Sequence, residues 1–167
     1  MNLYILRHGL AVEHGAPGYA KDADRPLTPK GERKLGRIAD AMDALELSFD
    51  LILSSPYTRA RQTAEIVAEA LGAHKQLEFS DDLMPEGKFK KLIEWLNHPK
   101  SPPQDVLLVG HEPYLSGLTS LLVAGDSSFS VVMKKGGLCK LSAESLKHGR
   151  CAAMEWLLTP KQMALMG

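Results

Sequence analysis

The stretch LYILRHGLA, Leu3 to Ala11, places two basic side chains and a glycine directly after a short apolar run. The apolar part, Leu3 to Leu6, predicts a buried strand that ends where RHG begins. Two further apolar runs lead into polar residues in the same way: LILSSPYTRARQT from Leu51 and VLLVGHEPY from Val106. Because these runs are short and continuously apolar, they predict buried strands of one sheet.

Helical patterns lie between these strands. Thr28 predicts an N-cap, with Pro29 at the first helical position. Ser55 is predicted to cap the next helix, with Pro56 behind it, and that helix is expected to stop at Gly72. The other predicted elements are strands at Gln76–Phe79, Leu138–Leu141 and Ala152–Leu157, and helices at Phe89–Leu96, from Pro113 and after Pro160. Strands that alternate with helices favour an α/β fold, a three-layer α/β/α arrangement with a mainly parallel central sheet.

Length and composition limit the class of protein. The 167 residues predict a single domain over 1–167, large enough to form a core without disulfides or metal. Twenty basic residues balance twenty acidic ones, so the total charge indicates neither nucleic acid nor an anionic membrane as a partner. No apolar run approaches the roughly 20 residues that span a bilayer, and the first residues lack a signal-peptide pattern.

The two cysteines, Cys139 and Cys151, are too few to form a disulfide framework. We expect small buried hydrophobic side chains in a reduced, cytoplasmic protein. A disulfide between them across a hairpin stays open from the sequence alone.

Polar side chains follow each of the three apolar runs. In open α/β sheets ligands bind beyond the carboxyl ends of the strands, so these side chains are expected to converge there. They are Arg7, His8, Ser54, Arg59, His111 and Glu112. A lone arginine or histidine after a strand is usually a solvated loop residue, but three such ends in one chain favour a site. Two arginines, two histidines and a helix N-terminus suit a dianion such as a phosphoryl group.

The common phosphate and metal motifs are missing from the sequence. It has no Walker A loop, neither cysteine precedes an arginine at the spacing of cysteine-dependent phosphatases, and HEPYL lacks the second histidine of a zinc-protease helix. Phosphoryl chemistry here therefore needs a nucleophile other than cysteine or metal-bound water, and we expect neither metal nor cofactor. Histidine can serve, since neutral imidazole is nucleophilic near neutral pH.

Three ordered motifs, RHG after the first strand, then SSPYTRARQTAE, then GHEP, resemble those of the histidine phosphatase superfamily, also called the phosphoglycerate mutase-like family. RPLTPKG, Arg25 to Gly31, resembles a segment of the small SixA-like phosphohistidine phosphatases. The resemblance extends from Leu3 to about Leu122. It implies a phosphoglycerate mutase-like fold with a minimal insertion.

The same resemblance implies a role for each matching residue. His8 would be the nucleophile that becomes phosphorylated, and Arg7 and Arg59 would clamp the phosphoryl oxygens. His111 would stabilise the transferring group, while Arg25 would lie near the pocket. The implied substrate is a phosphohistidine on a protein such as a phosphorelay or phosphotransferase component.

A carboxylic proton donor is the point on which the sequence leaves alternatives. Only a short segment separates Phe79 from Val106, so the pocket is expected to be shallow. Within it, Glu86 in LMPEGKF is the best candidate for the acid that an alcohol leaving group needs, and a solvated turn carboxylate is an equally good explanation. The alternative function is therefore a small-molecule phosphomonoesterase that uses Glu86. A third hypothesis is a non-catalytic phosphoprotein-binding module. It is disfavoured because the four residues with implied catalytic roles are all present: Arg7, His8, Arg59 and His111.

Overall fold

The computed structural model describes residues 1–166, and they form one six-stranded sheet with the strand order β3-β2-β4-β1-β5-β6. The strands are β1 (Asn2–Arg7), β2 (Leu51–Ser54), β3 (Leu77–Phe79), β4 (Asp105–Gly110), β5 (Leu138–Ala143) and β6 (Ala152–Leu158). The first four strands are parallel to one another, whereas β5 pairs antiparallel with β1 and forms an antiparallel hairpin with β6. The predicted mainly parallel sheet is confirmed.

The helices are α1 (Pro29–Ala44), α2 (Thr58–Ala70), α3 (Phe89–Asn97), α4 (Tyr114–Ala124) and α5 (Pro160–Met163). Single 3-10 turns occur at Asp22–Asp24, His74–Gln76 and Asp81–Leu83. The predicted cap of α1 is present, since the hydroxyl of Thr28 accepts a hydrogen bond from the Gly31 amide. Across the described residues, no helix is long and apolar enough to cross a membrane.

Two apolar cores, one on each face of the sheet, make the fold three-layered. Side chains of β1 alternate between them: Leu6 packs into the core with α1, α2 and α5, and Ile5 packs into the core with α3 and α4. This arrangement confirms the predicted α/β/α class. It also leaves the carboxyl ends of β1, β2 and β4 together at one edge.

The predicted N-terminus of α2 was wrong. The helix begins at Thr58 rather than at Pro56, and its N-cap residue is Tyr57, whose side chain makes no capping bond. The Ser55 hydroxyl accepts the Tyr57 amide at 3.3 Å, but it also lies 2.8 Å from Nε2 of His111. Ser55 thus belongs to a tight turn before the helix, where its hydroxyl is shared with a histidine.

The two cysteines are not joined. Cys139 on β5 pairs with Leu157 across the hairpin, whereas Cys151 precedes β6, so the two are not opposite one another. Both thiols are free, and burial raises the pKa of Cys139 to about 12. Cys139 is buried as expected, but the same expectation was wrong for Cys151, which is partly exposed.

Candidate active site

The carboxyl ends of three neighbouring strands bring the candidate site together. Beyond β1, the amide of His8 donates to the Gly110 carbonyl of β4 at 3.0 Å. Beyond β2, the amide of Ser55 donates to the Val109 carbonyl, also at 3.0 Å. These bonds prolong the sheet by one residue at each strand end. They place His8, Ser55 and His111 side by side, as the position of the binding crevice in open α/β sheets predicts.

Both ring nitrogens of His8 have partners that fix its tautomer. Nδ1 donates to the Gly9 carbonyl at 2.7 Å, and Nε2 lies 3.2 Å from Nε of Arg59, which can only donate. Nε2 is therefore the unprotonated nitrogen. The ring is 6% exposed, and burial, aided by nearby cationic groups, lowers the pKa of His8 to about 3. The imidazole is neutral near neutral pH.

His111 lies next to His8, with 5.2 Å between the ring centroids. Burial, and then the charge of Arg59, lower the pKa of His111 to about 3, so this ring is neutral too. Its Nε2 is hydrogen-bonded to the Ser55 hydroxyl. Within residues 1–166, its Nδ1 is buried without a hydrogen-bond partner. Such an orphaned polar atom is costly unless a ligand or water satisfies it.

The two arginines reach the site from different elements. Arg7 ends β1, and its Nη1 donates to the Met133 carbonyl at 2.8 Å, while its Nε is buried without a partner among the described residues. Arg59 lies in the first turn of α2 and is 4% exposed. Its Nη1 and Nη2 donate to the carbonyl and the carboxylate of Asp22, at 2.8 and 2.9 Å.

Arg25 makes no hydrogen bond to Arg7, His8, Arg59 or His111 within residues 1–166. It is linked to Arg59 through Asp22. Its guanidinium binds the carboxylate of Asp22 and the Val12 carbonyl, and Asp22 in turn binds Arg59. Asp22 was missed from the sequence. It lies three residues before Arg25, and this spacing is only a weak indication of an ion pair between the two. The importance of Asp22 becomes visible only from its contact with Arg59.

Glu86 lies at the rim of the site and is exposed. Its Oε1 accepts a hydrogen bond from the Tyr57 hydroxyl at 3.2 Å. The Tyr57 ring packs edge-on against His111, with 5.2 Å between centroids, and lies 5.4 Å from the Arg59 guanidinium carbon. Glu86 is thus tied to the site through a tyrosine rather than by direct contact with a histidine or an arginine.

Two side chains expected at the site, those of Ser54 and Glu112, make their hydrogen bonds with residues close to them in the chain. The Ser54 hydroxyl donates to the Ser55 carbonyl at 2.9 Å. The carboxylate of Glu112 accepts from the amide and the hydroxyl of Ser116 at the start of α4, at 3.0 and 2.6 Å. The Ser54 hydroxyl thus serves the local turn. The Glu112 carboxylate accepts from a free N–H group in the first turn of α4, and its charge also acts on Arg7.

Thr63 is a buried site residue that the sequence did not reveal. Its Oγ1 accepts from the Gly9 amide at 3.1 Å and donates to the Arg59 carbonyl at 2.6 Å. It follows Arg59 by one helical turn, which is the spacing that could have indicated it. Gly9 itself is required by packing, because a Cβ there would lie 2.5 Å from Cδ1 of Leu35.

The chemistry of this arrangement favours an anion. Two guanidinium groups and two neutral imidazoles lie together, and buried polar atoms of Arg7 and His111 lack partners within residues 1–166. A phosphoryl group offers acceptor oxygens to donors of this kind. In the described part of the chain, no cluster of three or more His, Cys, Asp or Glu side chains is arranged to hold a metal ion.

Comparison with known proteins places the chain in a family. Residues 3–94 match the sequence profile of the histidine phosphatase superfamily (branch 1). An uncharacterised protein of Picosynechococcus sp. is 40% identical over 143 residues, 84% of each chain. The phosphohistidine phosphatase SixA of Escherichia coli K12 is 29% identical over 128 residues, 76% of this chain and 77% of SixA.

The fold gives the same result. A solved structure of the protein histidine phosphatase SixA complexed with tungstate superimposes with a TM-score of 0.78 and 25% identity, covering 96% of this chain and 98% of that one. The phosphoglycerate mutase-like fold expected from the motifs is therefore confirmed. This chain belongs to the histidine phosphatase superfamily, and it is a phosphatase.

Proposed function

We propose that this phosphatase removes the phosphoryl group from a phosphohistidine of another protein, such as a phosphorelay or phosphotransferase component, through a phosphorylated His8. The observation that carries the proposal is the contact between Nε2 of His8 and Nε of Arg59 at 3.2 Å. It identifies Nε2 as the unprotonated nitrogen and places a fixed cation beside it. The lone pair that accepts this hydrogen bond is the one that attacks phosphorus, so the Nε–H of Arg59 must pass from Nε2 to a phosphoryl oxygen as the substrate binds. The similarity to SixA supports phosphohistidine as the substrate class.

In the first step, Nε2 of His8 attacks phosphorus and forms a new N–P bond, while the N–P bond of the substrate breaks. The departing ring takes the bonding electron pair. Because the second nitrogen of a phosphohistidine ring can be protonated beforehand, the ring leaves as neutral imidazole, and no enzyme acid is essential. Arg7 and Arg59 hold the equatorial oxygens, where negative charge is spread in the transition state.

In the second step, water attacks the phosphorus of phospho-His8. The N–P bond electrons return to Nε2, the water proton passes to solvent, and inorganic phosphate and neutral His8 are released. His111 donates from Nδ1 to a phosphoryl oxygen when the Ser55 hydroxyl donates to its Nε2. In that tautomer the phosphoryl oxygen becomes the partner that the buried Nδ1 lacks among residues 1–166.

A second candidate function is the small-molecule phosphomonoesterase. The hydrogen bond from Tyr57 to Glu86 favours it, because it holds a carboxyl group near His111. An alcohol leaves as an alkoxide unless an acid protonates it, so this function depends on Glu86. The phosphohistidine reaction does not.

The test compares phosphate release from a phosphohistidine protein and from a panel of phosphomonoesters, using wild type, Glu86→Gln and the exposed control Glu78→Gln. We expect preference for the phosphohistidine protein, with Glu86→Gln and Glu78→Gln both close to wild type. Efficient phosphomonoester turnover that collapses only in Glu86→Gln would establish the second candidate instead. Tight binding of the phosphoprotein without phosphate release by pure enzyme would contradict both.

A further inference from the structure

Asp22 accepts hydrogen bonds from two arginines at once. Its Oδ2 binds Nη2 of Arg59 at 2.9 Å, and its Oδ1 binds Nε of Arg25 at 2.8 Å. Its backbone carbonyl accepts Nη1 of Arg59 as well, at 2.8 Å. Although partial burial opposes it, hydrogen bonds from Arg25 and Arg59 lower the pKa of Asp22. The carboxylate is charged at neutral pH.

The segment that carries Asp22 is tied to the body of the protein. Val12 and Pro26 are joined by a backbone hydrogen bond of 2.9 Å, and Nη1 of Arg25 donates to the Val12 carbonyl at 2.6 Å. Asp22 itself begins a 3-10 turn. Because both backbone and side chain of Asp22 bind Arg59, the contact is part of the fold and not a loose side-chain encounter.

The three nitrogens of the Arg59 guanidinium group have different partners. Of the five N–H groups of an arginine, one faces His8 and two face Asp22. One N–H on each terminal nitrogen is left, and no hydrogen bond within residues 1–166 uses either. The plane of the guanidinium is therefore fixed from both sides before substrate arrives.

We propose that Asp22 is a positioning residue that holds Arg59 against His8, and that Arg25 offsets the charge of Asp22 so that the site still attracts a phosphoryl dianion. This inference rests on the roles proposed above for Arg59 and His8. An uncompensated carboxylate beside the site would repel a dianion, whereas the set of two arginines and one aspartate keeps a net positive charge. Fixed orientation of the guanidinium reduces the reorganisation needed in the transition state.

The alternative is that the Asp22 carboxylate inhibits the free enzyme, and it predicts different kinetics. Asp22 would then bind Arg59 at the place of the phosphoryl group until the substrate displaces it. Removing its charge would free Arg59 and raise kcat/KM. The backbone carbonyl contact and the anchoring of the segment argue against displacement, since both would have to be broken.

The experiment measures kcat and KM of Asp22→Asn, Arg25→Gln and the control Asp24→Asn, on any phosphorylated substrate that wild type turns over. Asp24 lies on the same 3-10 turn and is exposed. We expect Asp22→Asn to lower kcat by about tenfold to a hundredfold. Arg25→Gln should chiefly raise KM, because Asp22 then repels the substrate. Asp24→Asn should match wild type.

A spectroscopic signature separates positioning from a merely structural role. Imidazole nitrogen NMR reports the hydrogen bond that Nε2 of His8 accepts from Arg59, and we expect its resonance to shift in Asp22→Asn but not in Asp24→Asn. An unchanged kcat together with an unchanged His8 resonance would overturn the proposal, as would an increase in kcat/KM. If wild type released phosphate from no substrate, the proposed function would fail, while the NMR comparison would still test the contact.

Discussion

Nε of Arg59 donates to Nε2 of His8 over 3.2 Å, so the nitrogen proposed to attack phosphorus already faces a guanidinium group. Phosphorylation of His8 would replace the nitrogen lone pair with a phosphoryl group and turn its oxygens toward the same donor. On phosphorylation the Nε–H of Arg59 therefore exchanges its acceptor, from the Nε2 lone pair to a phosphoryl oxygen, while the contacts of Arg59 with Asp22 can persist. This exchange of acceptor depends on the residues that hold Arg59 and the turn after His8 in place.

Replacing Arg59 by lysine tests the need for a planar, multiply bonded cation. A lysine keeps the charge but cannot bind His8 and Asp22 in fixed directions at the same time. We expect Arg59→Lys to lower kcat/KM by about a hundredfold or more, as loss of preorganised donors commonly does. Arg61→Lys is the matched control, since Arg61 is exposed and makes a surface ion pair with Glu65. Equal loss in the two variants would contradict the assignment.

Thr63→Val tests how the turn after His8 is held. The valine has nearly the shape of threonine but leaves the buried Gly9 amide without its acceptor. We expect the free energy of unfolding to fall by about 1–3 kcal/mol, the cost of an unsatisfied buried donor, and kcat to fall with it. Thr119→Val is the control, because the buried Thr119 hydroxyl donates to the Leu115 carbonyl within its own helix, α4. Chemical denaturation and steady-state kinetics give both quantities, and wild-type values for Thr63→Val would refute the role.

Two glycine substitutions are expected to have opposite signs. In Gly9→Ala the new Cβ would lie 2.5 Å from Cδ1 and 2.9 Å from Cγ of the buried Leu35, so overpacking should destabilise the protein by about 1–3 kcal/mol. At Gly36, within α1, no atom of the described residues outside the adjoining residues and the helix's own backbone lies within 4 Å of the added carbon. Gly36→Ala should therefore stabilise the helix by about 0.5–1 kcal/mol. Thermal unfolding of the two variants checks the pair, and a stabilised Gly9→Ala would be inconsistent with the packing.

The two buried histidines predict a loss of stability in acid. Their folded-state pKa values are lowered to about 3, while in the unfolded chain histidine binds a proton below about pH 6.5. Between those limits the unfolded state binds more protons, so the free energy of unfolding decreases as pH falls. At about pH 4.5 the expected loss is about 2–3 kcal/mol for each histidine.

Histidine variants isolate this effect. In His8→Gln the loss of stability between about pH 7 and pH 4.5 should be smaller by roughly 2–3 kcal/mol, because one titrating group is gone. His98→Gln, which removes a histidine from the protein surface, is the matched control. Urea unfolding at the two pH values measures both. The explanation fails if His8→Gln loses as much stability as wild type.

Much of the fold follows from short-range signals in the sequence. Apolar runs gave the central strands, and Thr28 with Pro29 gave the start of α1, because capping chemistry is local. The predicted start of α2 was wrong because a local rule cannot include a distant partner. Ser55 has the chemistry of a cap, but its hydroxyl is shared with His111, fifty-six residues away. No local rule contains that partner.

The site shows the same limit. Sequence order and strand ends predicted that Arg7, His8, Arg59 and His111 would lie together, since parallel strands end at one edge. Asp22 was missed because its importance depends on Arg59, which is distant in the chain and adjacent only in the fold. Its ion pair with Arg25 alone would be an ordinary surface contact.

The most direct test of the account is to mix enzyme with a phosphohistidine protein, quench within the first turnover and locate the phosphoryl group on the enzyme by mass spectrometry. We expect an acid-labile phosphoryl group on His8 in wild type, and neither phosphoenzyme nor phosphate release in His8→Ala. Appreciable turnover by His8→Ala, or a phosphoryl group on another residue, would contradict the proposed mechanism.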